Sequence, residues 1–231
     1  MSLIPGPLRE GFERLLTPLI GRLVERRVSP NVITTVGTAV ILLSGVAFGA
    51  GWVRTGAALL LLSGVGDMLD GRVARTGGTT SKFGAFYDST LDRVGEAALF
   101  GGIAVYFAAG GVRPGLMLWA VATAVAALAA SLLVSYARAR AEGLGLDCTV
   151  GIAQRAERIL GLGVPTLFFG AGPDGFLRLG IVALLAALAA ATVVQRIMHV
   201  SRVTGDGAAR TTQSRKYSEI APYMKGSRSD R

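Results

Sequence analysis

A chain of 231 residues that is 51% hydrophobic, with a mean hydropathy of +0.51, is too apolar for an ordinary soluble domain of its size. Its formal net charge of +9 would suit nucleic acid, but beside that hydropathy anionic lipid headgroups are the better partner, and no nucleic acid is expected. A single cysteine, Cys148, excludes an intrachain disulfide and reads as an inert small residue in a loop.

In chain order, residues 7 to 27 set Phe12, Leu15, Leu16, Leu19, Ile20 and Leu23 at helical spacing among Arg9, Arg14, Arg22, Arg26 and Arg27. This pattern predicts an amphipathic helix at a membrane surface. No cleavable signal peptide is evident, because the N-terminus is polar and charged through Arg27. Ser29-Pro30-Asn31 starts the next helix, with Ser29 as N-cap and Pro30 at the first position. Apolar segments of spanning length then follow at residues 31–52, 56–75, 82–109, 115–142, 153–171 and 176–203. Turn residues separate them: Gly51 and Arg54-Thr55-Gly56, then Thr76 to Ser81, then Gly110, Gly111 and Pro114, then the loop Gly143 to Gly151, then Gly172-Pro173-Asp174-Gly175. The tail, 204–231, is polar and is expected to be mobile.

The expected fold is therefore an all-α integral membrane protein. An interfacial helix occupies residues 1–28, a six-helix transmembrane domain residues 29–203, and a polar cytoplasmic tail residues 204–231. Charge sets the expected orientation. Twenty-one Lys and Arg fall at the N-terminal region, the second and fourth turns and the stretch from Arg196, against only Arg54, Arg113 and Arg178 on the other side. Both termini should face the cytoplasm. Trp52 and Trp119 read as interfacial anchors on the opposite side. His199, beside the exit of the last span, receives no role. The small-residue runs Ala124 to Ala130 and Ala186 to Ala191 permit close helix packing, within the chain or in a dimer.

The segments at 56–75 and 82–109 carry the chemistry. Asp67 and Asp70 are spaced i, i+3, and Asp88 and Asp92 i, i+4, so on helices each pair shares a face. The short link between them should fold the second segment back beside the first and gather all four carboxylates. At membrane depth each such charge costs several kcal/mol, on the order of magnitude of intramembrane burial, unless it is paired or metal-bound. Arg72, Arg75, Lys82 and Arg93 would make a salt-bridge cluster; the alternative is a site for one or two hard divalent cations. Oxygen-only ligands favour Mg²⁺ or Mn²⁺ over Zn²⁺. Asp67, Gly71 and Arg75 form one stripe at four-residue intervals, and Gly84, Asp88 and Asp92 another. Glycine one turn from a ligand admits a bulky group, and an arginine one turn further suits phosphate oxygens. A nucleoside diphosphate or pyrophosphate substrate is the expectation. Glu96, one turn deeper than Asp92, reads equally as a partner behind the ligands or as an interhelical polar contact.

Asp67-x2-Asp70-Gly71-x2-Ala74-Arg75-x8-Gly84-x3-Asp88-x3-Asp92 resembles the signature of the CDP-alcohol phosphotransferases, with every fixed position filled. The resemblance implies a six-span, usually dimeric membrane enzyme that moves a substituted phosphate from a CDP-linked donor to an alcohol and releases CMP. It implies two metal ions on Asp67, Asp70, Asp88 and Asp92, with Asp92 as the base that activates the acceptor hydroxyl. Asp70, Gly71, Ala74, Arg75, Ser81 and Gly84 would border the CDP moiety.

Three further stretches, S-Y-A-R-A-R-A-E at 135–142, Q-R-A-E-R at 154–158 and Q-R at 195–196, are similar to the actinobacterial phosphatidylinositol phosphate synthase branch of that family. That likeness implies CDP-diacylglycerol as donor and inositol phosphate as acceptor, with Arg138, Arg155, Arg158 and Arg196 around the acceptor phosphate. The branch usually carries Lys where Arg138 stands and Pro where Ala156 stands, and Arg for Lys changes donor geometry while keeping charge. A sister enzyme using glycerol 3-phosphate would also use a basic pocket. A cation transporter would use the aspartates but leave the signature glycines and Arg75 without purpose. The location implied is the cell (inner) membrane, with the site on the cytoplasmic side.

Overall fold

The computed structural model of the chain describes residues 6–152 and 155–226, with side chains described at 11, 16–152 and 155–205. Among these residues every regular element is helical. In order they are α1 (Gly6–Glu25), α2 (Pro30–Gly49), α3 (Val53–Thr76), α4 (Lys82–Ala108), α5 (Met117–Gly143), α6 (Arg155–Phe169) and α7 (Phe176–Gly226), with 3₁₀ turns at Pro114–Leu116 and Pro173–Gly175. The amphipathic helix and all six apolar segments are thus helices close to their expected bounds. Ser29 is the N-cap of α2 as expected, extended before Pro30, although its side chain makes no capping hydrogen bond. The last helix is longer than expected: α7 continues through the polar stretch to Gly226, where Ala208, Ala209, Arg210, Gln213, Arg215 and Lys216 are good helix formers.

Helices α2 to α7 close a ring. α2 packs on α3 and α4; α3 continues to α6, α6 to α7, α7 to α5, and α5 back to α4. Among the described residues α3 and α4 do not pack on each other, although a short link joins them. The sequence expectation that the second acidic segment lies directly beside the first is corrected here: α2 stands between them. Glycine makes α2 thin enough for that position. A Cβ on Gly102 of α4 would collide with the Gly45 carbonyl of α2, and one on Gly66 of α3 would sit 3.4 Å from the Gly37 Cα. Both crossings are backbone-to-backbone contacts, and at Gly45 and Gly102 any larger residue would pry the helices apart.

The ring interior is filled by Phe48, Ala57, Leu60, Ile103, Phe107, Ala120, Ala124, Leu162 and Val182, all essentially closed to solvent. The outer surface is apolar as well: Val36, Val46, Leu62, Leu118, Phe168 and Phe169 are exposed, as are Trp52 and Trp119. With hydrocarbon outside and inside, van der Waals packing of small residues holds the helices rather than exclusion of water. Helices at Pro30–Gly49, Pro114–Gly143 and Pro173–Gly205 meet the length and hydropathy of membrane spans. α3 and α4 are long enough at 24 and 27 residues but carry the aspartates, and α6 has 15 residues.

α1 lays Leu16 and Ile20 against Val73, with Val65, Met68 and Leu69 alongside, so the amphipathic helix braces the acidic half of α3. At the opposite end, Arg178 is fully buried, its guanidinium 4.7 Å from the Phe48 ring centre and 4.5 Å from that of Tyr106. One side chain of α7 thereby joins α2 and α4 across the ring.

Candidate active site

The site opens where α3 and α4 diverge around α2. Asp67 and Asp70 occupy the C-terminal part of α3, and Asp88 and Asp92 the N-terminal part of α4. Ser81 fixes the start of α4: its Oγ accepts a 2.9 Å hydrogen bond from the Gly84 amide. A Cβ on Gly84 would crowd that hydroxyl at 3.1 Å and Asn31 Oδ1 at 3.4 Å. On α3, a Cβ on Gly71 would lie 3.3 Å from Arg75 Nη1, so the glycine leaves room for an exposed guanidinium folded back over it. Ala74, half-buried, lies just before it.

Each carboxylate has a distinct setting. Asp70 is buried and held at both oxygens: Oδ2 accepts from Thr34 Oγ1 at 2.8 Å, and Oδ1 from the Gly71 amide at 2.5 Å. Asp67 Oδ2 lies 2.7 Å from Arg155 Nε, and Arg155 Nη1 makes an ion pair with Asp92 Oδ1. Asp88 is half-buried and within electrostatic range of Asp70 and Asp92. Arg93 places Nη2 3.5 Å from Asp92 and Nη1 3.2 Å from Glu96 Oε2, while Arg158 Nη2 lies 2.7 Å from Glu96 Oε1. Glu96 is both partners that the sequence left open: it stands behind the carboxylates and joins α4 to α6. The result is a line of alternating charge, Asp67, Arg155, Asp92, Arg93, Glu96, Arg158, across α3, α6 and α4.

Arg93, one of the bases expected to neutralise the aspartates, lies beside Asp92, and Arg155 joins it from far along the chain. The four arginines expected around an acceptor phosphate divide into two pairs. Arg155 and Arg158 engage carboxylates. Arg196 Nε donates to the Val150 carbonyl at 3.0 Å and its Nη1 to that of Val134, beside Arg138, which pairs with Glu142 at 2.8 Å. Gln154, part of the 154–158 motif, lies outside the described residues. His199 Nε2 meets the Asp147 carbonyl at 3.1 Å and tethers the α5–α6 loop, and Cys148 is buried in that loop.

The donor set suits a hard cation, since it consists of carboxylate oxygens alone. As they stand, no three acidic, histidine or cysteine side chains among the described residues are close enough together to hold one. A positive charge, the Arg155 guanidinium, lies between Asp67 and Asp92. Sequence reasoning missed Thr34, whose only signal was its place one turn inside α2. It also missed the 2.9 Å contact of Thr35 with Tyr87, which ties α2 to α4 beside Asp88. A broad concavity of about 660 Å³, lined by Gly51, Trp52, Arg54, Phe169 and Pro173, lies at the other end of the helices, away from the aspartates.

Residues 27–204 match the family model described as CDP-alcohol phosphatidyltransferase. The chain is 41% identical over 202 residues to a phosphatidylinositol phosphate synthase of Cutibacterium acnes, covering 84% of this chain and 96% of that protein. It is 39% identical over 192 residues to an archaetidylinositol phosphate synthase of Methanothermobacter thermautotrophicus, covering 83% and 91%. In three dimensions it is similar to the phosphatidylinositol phosphate synthase of Mycobacterium tuberculosis with CDP-DAG bound, with a TM-score of 0.70, 31% identity, and coverage of 81% and 94%. The same enzyme in complex with manganese and citrate gives a TM-score of 0.68 at 32% identity, covering 79% and 87%.

Proposed function

The chain belongs to the CDP-alcohol phosphatidyltransferase family and is a multi-pass membrane transferase, and from that premise we propose that it transfers the phosphatidyl group of CDP-diacylglycerol to inositol phosphate and releases CMP. One observation carries the acceptor. The two relatives differ in the lipid part of their names, phosphatidyl and archaetidyl, but share inositol phosphate.

Asp67, Asp70, Asp88 and Asp92 would hold two divalent cations, Mg²⁺ or Mn²⁺. Bound there, they would supply charge neutralisation on the attacking and leaving oxygens. The protein's own groups do the rest. Thr34 and the Gly71 amide fix both oxygens of Asp70 in direction. Arg75, folded over Gly71, reaches toward diphosphate oxygens, with Ala74, Ser81 and Gly84 bordering the cytidine. Asp92 accepts the proton of the acceptor hydroxyl. The hydroxyl oxygen forms a bond to the phosphorus that carries diacylglycerol, the phosphorus–oxygen bond to CMP breaks, and CMP departs with the electron pair. Arg138, Arg155, Arg158 and Arg196 recognise the acceptor phosphate, a chemistry for which guanidinium forks are suited.

In this reading six helices cross the cell (inner) membrane, the enzyme is a homodimer, and the site and both termini face the cytoplasm, where the CDP headgroup is reached from water while the acyl chains stay in lipid. The test is CMP release by purified protein with CDP-diacylglycerol, Mg²⁺ or Mn²⁺, and one acceptor at a time. Release with inositol 3-phosphate alone is expected. Release with glycerol 3-phosphate, free inositol or serine instead would move the enzyme to a sister branch, and none at all would leave cation flux as the next assay.

A further inference from the structure

Arg155 starts α6, yet its guanidinium lies in the gap between α3 and α4, touching Asp67 on one side and Asp92 on the other. Both contacts are within ion-pair range, but neither Nε nor Nη1 makes a directional hydrogen bond. The side chain therefore acts there as a point positive charge rather than as a fork. Directly behind it is a small cavity of about 20 Å³, lined by Glu96, Arg155 and Arg158 with Ile41, Leu99 and Leu162. Arg158 Nη1 is buried without a hydrogen-bond partner, and Glu96 Oε2 meets Arg93 only as an ion pair at 3.2 Å. The guanidinium thus has a carboxylate pair in front of it and the buried Glu96 carboxylate behind.

We propose that Arg155 is the built-in counter-ion of the carboxylate site: it occupies the Asp67–Asp92 gap until a divalent cation displaces it, and only then is its guanidinium released for an acceptor phosphate. This rests on the metal-site reading above. Asp67 and Asp92 together cannot satisfy a divalent cation and a guanidinium in one gap, because the two positive charges repel at contact distance in a partly dehydrated site. Cation and Arg155 therefore compete for the same two carboxylates. By linkage, an acceptor phosphate that captures the freed guanidinium strengthens cation binding by the same factor that the cation strengthens phosphate binding. The two events are thus cooperative, so that cation and acceptor occupy the site together rather than singly.

The experiment is Mn²⁺ binding to full-length protein in detergent, read from the free-ion electron paramagnetic resonance signal, for wild type, Arg155→Gln and Arg155→Lys. Loss of the competing charge should tighten Mn²⁺ binding in Arg155→Gln by about tenfold or more, while Arg155→Lys stays near wild type. Weaker or unchanged binding in Arg155→Gln, with wild type still binding, would overturn the inference and leave the metal site standing. Absence of Mn²⁺ binding in wild type would sink the metal reading itself, and this inference with it. Should Arg155→Gln fail to fold, a structure of wild type with Mn²⁺ decides. The guanidinium is expected beyond ion-pair distance of Asp67, and its retention at the present contact refutes displacement.

Discussion

Thr34 Oγ1 lies 2.8 Å from Asp70 Oδ2, and this contact spans 36 residues of sequence to tie the first turns of α2 to the acidic end of α3. The hydroxyl has one proton and two oxygens within reach, the other being the Pro30 carbonyl at 3.1 Å. The charged, nearer carboxylate takes it. Asp70 is thereby aimed before any ligand arrives. Thr34→Val keeps the shape and removes the donor. The expected outcome is a loss of about tenfold to a hundredfold in divalent-cation affinity, the usual consequence of removing a hydrogen bond that orients a ligand. A cation titration that shows no change would mean that the Gly71 amide alone suffices to hold Asp70.

Asp92 is paired with Arg155 and with Arg93. Once the Arg155 guanidinium has left it, one of its oxygens is open to an acceptor hydroxyl and can accept its proton. Asp92→Asn is isosteric and cannot accept that proton. Turnover should fall to background in the CMP-release assay, while binding of CDP-diacylglycerol, measured separately, stays largely intact. Full activity in the variant would remove Asp92 as the base.

Glu96 is 5% exposed and neutralises Arg158 and, in part, Arg93 within the helix ring. Such a pair gains little over a well-packed apolar core, but breaking it strands a buried charge. Glu96→Ala should destabilise the protein by about 3–5 kcal/mol, the range for removing one member of a buried pair. Thermal unfolding in detergent checks this. A double variant, Glu96→Ala with Arg158→Met, should recover part of the loss, because the stranded cation goes too. Equal unfolding temperatures for single and double variants would show that Arg158 is not the group left unpaired.

The helices and the acidic residues were legible because they depend on local rules. Apolar runs broken by Gly51, Gly110, Gly111, Pro114 and Pro173 set the elements, and the spacing of Asp67, Asp70, Asp88 and Asp92 set the faces. What escaped was pairing between elements distant in the chain. No periodicity says that α2 should stand between α3 and α4; that follows from Gly37 meeting Gly66 and Gly45 meeting Gly102, and glycine in an apolar helix does not name its partner. Charge alone picks out both Arg155 and Arg196. Their directions, one toward Asp67 and Asp92 and the other toward the carbonyls of Val134 and Val150, depend on where α6 and α7 land around the ring.

In the sequence Arg178 reads as one of three positive charges on the side opposite the aspartates, and in the fold it is a core residue. All three of its guanidinium nitrogens are buried without hydrogen bonds, and its charge is met by the faces of Phe48 and Tyr106. Two effects oppose each other. A desolvated cation–π contact contributes about 2 kcal/mol, whereas burying an ion costs several kcal/mol, on the order of the penalties seen in real proteins. The side chain also fills the space between α2, α4 and α7. Arg178→Ala removes that volume and should destabilise by about 2–5 kcal/mol, as for other large-to-small core changes. Arg178→Met keeps most of the volume and sheds the charge, so its unfolding temperature in detergent should lie above that of Arg178→Ala and at or above that of wild type. A methionine variant as unstable as the alanine one would show that the two aromatic faces outweigh the cost of burial, and that the charge itself holds this end of the ring closed.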